Sequence, residues 1–150
     1  MIRLALIGCG RIATKKHTEA IIKNSELFEL VAVVDPVKEK AENIANIMEE
    51  AGLKRPEVYK DYKEILKRED IDMVSIATES GYHYQISIDA MNGGKHVLVE
   101  KPMALSTKEM DHMIEISKEK DLKLGVCFQN RFNPPIQELR KKLENGEFGK

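Results

Sequence analysis

Short apolar runs alternate with longer amphipathic stretches along the chain. The first run, IRLALIG from Ile2 to Gly8, is apolar at nearly every position and stops at glycine. That pattern predicts a strand buried on both faces. A helix is expected from about Arg11 to Asn24, with Ile12, Ala13, Ala20 and Ile21 as core candidates. FELVAVVD, Phe28 to Asp35, reads as a second buried strand. Asp35 and Pro36 then suit the N-cap and the first residue of a helix. That helix carries Ala41, Ile44, Ala45 and Met48 at helical spacing, and Gly52 closes it.

The alternation continues to the end. A short strand is expected near Val58 and Tyr59, a brief helix in DYKEILKRED, and a strand from Ile71 to Thr78. YHYQISIDAMNGG predicts a helix ending at Gly93 and Gly94. KHVLVE is a fifth strand, and Ser106 with Glu109 forms a capping box for a helix through about Glu119. A sixth strand spans Leu122 to Phe128, and a last helix, from about Pro135 to Glu144, carries Ile136, Leu139 and Leu143 on one side before Gly146. Nearly continuous apolar strands separated by helices call for a parallel sheet covered on both faces. The expected fold is α/β: a doubly wound Rossmann fold with a mostly parallel six-stranded sheet and helices on both faces. No repeat, low-complexity segment or linker divides the chain, and 150 residues suit one domain.

Charge narrows the function classes. The 24 basic and 25 acidic residues leave a formal net charge of −1, which argues against a nucleic-acid or membrane-surface partner. No apolar run approaches a membrane span, and the N-terminal run is too short and too broken by glycines and Arg11 for a signal peptide. Two cysteines, Cys9 and Cys127, form no metal-type pair, and a reduced, cytoplasmic setting is expected.

GCGRIA, Gly8 to Ala13, fits G-x-G-x-x-G/A in its proper context, after a strand and opening a helix. Gly8 allows the tight turn, Gly10 lets the backbone approach a pyrophosphate, and Ala13 permits close helix–strand packing. Arg11 and Ile12 follow in the same turn, where the helix N-terminus favours phosphates. Asp35 ends the second strand, where an acid accepts hydrogen bonds from an adenosine ribose and repels a 2'-phosphate. The cofactor expected is therefore NAD. Ligands of open parallel sheets sit at the carboxyl ends of the strands. ATESGYH, EKP and QNRFNP all map to that edge beside Asp35. Pro102 keeps Lys101 out of helical angles, and either isomer is open to the Lys101–Pro102 bond. A lysine there can hold a substrate hydroxyl or carry its proton. On residue type alone, Glu100 and Lys101 also suit a surface ion pair at a strand end.

GCGRIA, Asp35, ATESGYH and above all GGKHVLVEKPMAL resemble the glucose-fructose oxidoreductase/inositol dehydrogenase/rhizopine catabolism family, Gfo/Idh/MocA. The resemblance implies an NAD(P)-dependent oxidoreductase acting on CH–OH groups of sugars and cyclitols. It implies that Lys101 matches the catalytic lysine, that Glu100 lies near the nicotinamide, and that Ala77, Thr78 and His83 line the cofactor. QNRFNPPIQELRKKLENGEFGK resembles the branch of UDP-N-acetyl-2-amino-2-deoxyglucuronate 3-dehydrogenases of surface-polysaccharide synthesis. In that branch Asn130 and Arg131, with Lys101, would face a sugar-nucleotide substrate. A free sugar or inositol is the alternative substrate, and a non-catalytic NAD-binding module is the alternative class. Family members are about twice as long. The resemblance implies a second domain that supplies a catalytic histidine and a homo-oligomeric interface, with residues from about 129 leading toward it. The chain alone is then expected to bind NAD without turnover. His17, His96 and His112 read as packing or surface residues, Cys9 as a small filler and Cys127 as core, and no metal site is expected.

Overall fold

The computed structural model describes residues 1–149. Six strands, β1 (Ile2–Ile7), β2 (Phe28–Val34), β3 (Glu57–Tyr59), β4 (Met73–Ile76), β5 (His96–Glu100) and β6 (Leu124–Cys127), form one sheet in the order β3-β2-β1-β4-β5-β6. Every pairing is parallel. The strand order reverses between β1 and β4, which opens a crevice at their carboxyl ends.

The period of two along β1 separates two cores. Leu4 and Leu6 pack with Ala13, Ile21, Ala41, Ile44, Ala45 and Met48 on one face. Ala5 and Ile7 pack with Ile86, Met91 and Met113 on the other. The first face is covered by α1 (Thr18–Lys23) and α2 (Lys38–Glu50), the second by α4 (His83–Asn92) and α5 (Thr107–Glu119). A short α3 (Lys63–Leu66) buries Ile65, and α6 (Pro134–Glu144) follows β6. A bulge breaks the β1–β2 register, because Leu4 faces Leu30 while Ala5 faces Ala32. Val31 is the extra residue, and it turns to the α4–α5 face.

Several sequence expectations shift. The four core positions of α2 are buried as expected, and the Ser106–Glu109 capping box is present. Helix α2 starts at Lys38 rather than at Pro36, because Val37 is still extended. Ile12 and Ala20 are exposed instead of core. For Ala20 the cause is a widened π turn at Ala13–His17, in which Thr18 N–H and Oγ1 both donate to the Ala13 carbonyl. The extra residue shifts the helical phase, so Ala13, Thr18 and Ile21 face inward. Cys127 is half-buried rather than core, since β6 is the sheet edge. Ile136, Leu139 and Leu143 share a face of α6 and are all exposed. No helix among the described residues is long and apolar enough to cross a membrane.

Candidate cofactor site

The sheet register lines up the ends of four strands. Ile7 pairs with Val34 and with Ile76, and Ile76 pairs with Val99. One step beyond, Asp35, Gly8, Ala77 and Glu100 therefore form a row across the sheet. Gly8 N–H donates to the Val34 carbonyl and Ala77 N–H to the Ile7 carbonyl, both at 2.8 Å, which locks the row.

The two glycines of the turn face opposite constraints. Gly8 has φ +88°, and a Cβ there would lie 2.7–2.8 Å from the backbone of Ala77 and Thr78. The turn and the loop after β4 thus touch through backbone alone. A Cβ on Gly10 would meet nothing within 4 Å. Open space above Gly10, at the start of a helical run from Arg11, is what a diphosphate needs. The groove beside it is lined by Cys9, Gly10, Thr14 and Asn43, with the cationic Arg11 and Lys40 and the acidic Glu39 among them.

Asp35 is buried, and each carboxylate oxygen already holds a backbone N–H. Oδ2 accepts from Cys9 and Oδ1 from Val37, both at 2.9 Å. The carboxylate therefore ties the glycine turn to the approach to α2, and its remaining lone pairs are left for a ribose. It caps the Val37 N–H and does not sit at the N-cap position. Cys9 fills the turn as an inert thiol, pushed up to about 12 by burial and by the Asp35 charge. The open Gly10, the helix start and the Asp35 carboxylate together fit a dinucleotide.

The loop after β4 and the turn after β5 are braced together. His83 is fully buried, with Nδ1 2.7 Å from the Pro102 carbonyl and Nε2 3.1 Å from the Thr78 carbonyl. Its ring supports the site from behind and offers no open face to a cofactor. Ala77 contributes backbone, Thr78 is half-exposed, and Ile12 and Arg11 are exposed at the helix start. The Lys101–Pro102 bond is cis. Lys101 is exposed at the end of β5, and its N–H donates to Glu100 Oε2 at 3.3 Å. Glu100 pairs with Cys127 of β6, so the 3₁₀ turn Gln129–Phe132 lies next to this edge. Asn130 and Arg131 are exposed on that turn, with the Arg131 guanidinium 5.8 Å from the Phe128 ring centre.

Sequence reading missed one cluster. His17 Nε2 lies 3.0 Å from Glu100 Oε1, and His17 Nδ1 lies 3.0 Å from Ser75 Oγ. Burial first, then the Glu100 charge, pushes the Cys127 thiol up to about 11. Ligand atoms of His17, Glu100 and Cys127 lie within 4.8 Å of one another, close enough for a metal ion. The histidine and carboxylate are already hydrogen-bonded inside the protein, so the cluster is satisfied without one. Residues 17, 100 and 127 are far apart in sequence, and no spacing rule joins them.

Residues 2–128 match the model of an oxidoreductase family with an NAD-binding Rossmann fold, Gfo/Idh/MocA. The chain belongs to this family. As a Gfo/Idh/MocA domain it carries the family's NAD-binding fold, in agreement with the open glycine turn. It is 33% identical, over 99% of its length, to scyllo-inositol 2-dehydrogenase (NAD(+)) of Bacillus subtilis, and covers 42% of that protein. WlbA dehydrogenase of Bordetella pertussis, solved with NADH and UDP-GlcNAcA, matches at 32% identity with TM-score 0.85, over 99% of this chain and 43% of that one. Scyllo-inositol dehydrogenase of Lactobacillus casei, solved with NAD(H) and scyllo-inositol, matches at 28% identity with TM-score 0.85, over 99% and 42%. The chain thus spans about two fifths of the length of these relatives.

Proposed function

We propose that this chain is the cofactor domain of an NAD-dependent sugar-nucleotide dehydrogenase, with C3 of a UDP-linked N-acetylglucosamine uronate as the hydride donor. The observation that carries the reading is the row of strand ends. Asp35, the Gly8–Gly10 turn, the Thr78 loop, Glu100–Lys101 and Asn130–Arg131 converge on one edge of the sheet. The likeness to WlbA at 32% identity supports the substrate class. When bound, NAD supplies the hydride-accepting carbon.

The residues of the chain divide the remaining work. The glycine turn receives the diphosphate, and Asp35 reads the adenosine ribose and disfavours a 2'-phosphate. Lys101 holds the reacting hydroxyl and stabilises negative charge on its oxygen as the proton departs. Arg131 offers a planar fork to a carboxylate or phosphate, and Asn130 a neutral hydrogen-bonding partner. The remaining acid/base group comes from the rest of the intact protein, so these 150 residues alone bind NAD without turnover. The second reading, an inositol or free-sugar dehydrogenase, draws on the Bacillus subtilis relative at 33% identity.

Steady-state assay of the intact enzyme against UDP-linked uronates and inositols separates the two. Lys101→Ala should lower kcat by about 10²–10⁴-fold while NAD still binds. A kcat close to wild type would remove Lys101 from the chemistry. Turnover confined to inositols would favour the second reading.

A further inference from the structure

The reading above gives no task to His17 and Ser75, the two residues that hold Glu100 from inside the protein. Their cluster links three elements: the π turn, β4 and β5. In connectivity it matches a serine–histidine–acid nucleophile triad. Ser75, however, is 1% exposed in the middle of β4, between Leu6 and Leu98, where no substrate carbonyl can reach. What reaches the site is the charge of Glu100.

The topology says which half of a dinucleotide that charge meets. Asp35 ends β2 and the glycine turn ends β1, so the adenosine half lies toward β2. The sheet order β2-β1-β4-β5 leaves the other half to run over the ends of β4 and β5. Glu100 ends β5, two strands from the turn, which is roughly 10 Å at about 4.8 Å per strand. The nicotinamide ring carries a positive charge in NAD⁺ and none in NADH. A buried carboxylate near it acts on one form and not on the other.

The hydrogen bonds keep that carboxylate aimed. Glu100 Oε1 faces His17 Nε2 at 3.0 Å, and Oε2 accepts the Lys101 N–H at 3.3 Å. His17 Nδ1 lies 3.0 Å from Ser75 Oγ, and a neutral ring that accepts the Ser75 hydroxyl proton there donates from Nε2 to Glu100. In that arrangement all three groups are paired and the Glu100 carboxylate is not neutralised by its partner. Both side chains of the His17–Glu100 pair are 10% exposed, so solvent screens the charge poorly.

Resting on the NAD reading above, we infer that the Ser75–His17–Glu100 chain is a charge-setting device: Glu100 tilts cofactor affinity toward NAD⁺, and His17 positions it. For a nicotinamide ring about 10 Å from Glu100, a unit charge at an effective dielectric near 20 changes the affinity ratio on the order of tenfold. His17 is thus a positioning residue, and Glu100 a determinant of which redox form the domain holds.

The test uses this chain and two cofactor forms. Dissociation constants for NAD⁺ and NADH are measured by calorimetry and NADH fluorescence, with ADP-ribose binding to report an intact adenosine half. Glu100→Gln should move the NAD⁺/NADH affinity ratio toward NADH on the order of tenfold. His17→Lys, which leaves Glu100 in place and neutralises it, should move the ratio the same way. It decides the matter if Glu100→Gln does not fold. His17→Gln, which keeps a neutral donor, should hold the ratio near wild type. A His17→Gln ratio shifted as far as that of Glu100→Gln would overturn the assignment of His17 as a neutral donor to a charged Glu100. An unchanged ratio in a Glu100→Gln protein that binds ADP-ribose also overturns it, while the NAD reading stands. A wild-type chain that binds neither form removes both.

Discussion

Gly8 and Gly10 are two residues apart, and substituting each by alanine should break different properties. At Gly8 a Cβ meets three backbone atoms at 2.7, 2.7 and 2.8 Å, in a residue with φ +88°. Backbone cannot swing aside as a side-chain tip can. The left-handed conformation costs about 1–2 kcal/mol for a residue with a Cβ. Overpacking against a fixed neighbour adds about 1–3 kcal/mol. Gly8→Ala should therefore lose about 3 kcal/mol, a drop in Tm of about 6–12 °C for a domain of this size. At Gly10 the same methyl meets nothing within 4 Å. Gly10→Ala should leave Tm unchanged or raise it slightly, because alanine restricts the unfolded chain. Its methyl instead occupies the space a diphosphate would enter. Loss of one charge-assisted hydrogen bond is worth about 1.5–3 kcal/mol, so NAD affinity should fall at least about tenfold. Thermal unfolding with and without NAD, followed by calorimetric titration, reads both quantities. A Gly10→Ala protein that binds NAD like wild type would refute the cradle. A Gly8→Ala protein with unchanged Tm would refute the close approach to Ala77 and Thr78.

Two further predictions concern titration. The Arg3 guanidinium, first, and the Arg3 N–H hold the Asp72 carboxyl down at about 2. A depressed carboxyl adds stability above its unfolded value near about 4, and that stability is lost as pH falls from there through about 2. Both side chains are more than a third exposed, so the effect is small. The urea midpoint of Asp72→Asn should lie below wild type at pH near 5, with the difference closing toward about pH 2; a pH-independent difference would contradict the assignment. The thiols of Cys9 and Cys127 are raised to about 12 and about 11, chiefly by burial. A thiol reagent at about pH 8 should label native protein slowly at both and react fast in denaturant, since the thiolate is the nucleophile; rapid native labelling would show an open turn or edge strand.

The parts of the fold legible in sequence are those set by local pattern. Ala41, Ile44, Ala45 and Met48 are read directly from a period of 3.6, and the Ser106–Glu109 box from its spacing. Apolar strands between helices were enough for a parallel sheet, and Gly8, Gly10 and Asp35 for a candidate cofactor turn. What escaped depends on contacts between distant residues. The π turn at Ala13–His17 leaves no compositional mark, yet it moves Ala20 outward and brings His17 to Glu100. His83 suits a loop histidine at a strand end until the fold folds the Pro102 and Thr78 carbonyls over its ring. Asp35 reads as a helix cap because the extended Val37 is invisible in sequence. Sequence pattern says which face a residue takes, but not which partner waits there.

The most direct test is calorimetric titration of the chain with NAD and with NADP, for wild type and Asp35→Ala. Asp35 also anchors Cys9 and Val37, so the substitution should weaken both cofactors. The ratio of the two affinities cancels that shared loss and isolates the ribose reader. NAD should bind wild type clearly and NADP much more weakly, and Asp35→Ala should close the gap. Binding of neither cofactor, or a ratio that the substitution does not move, would contradict the site built on the Gly8–Gly10 turn and Asp35.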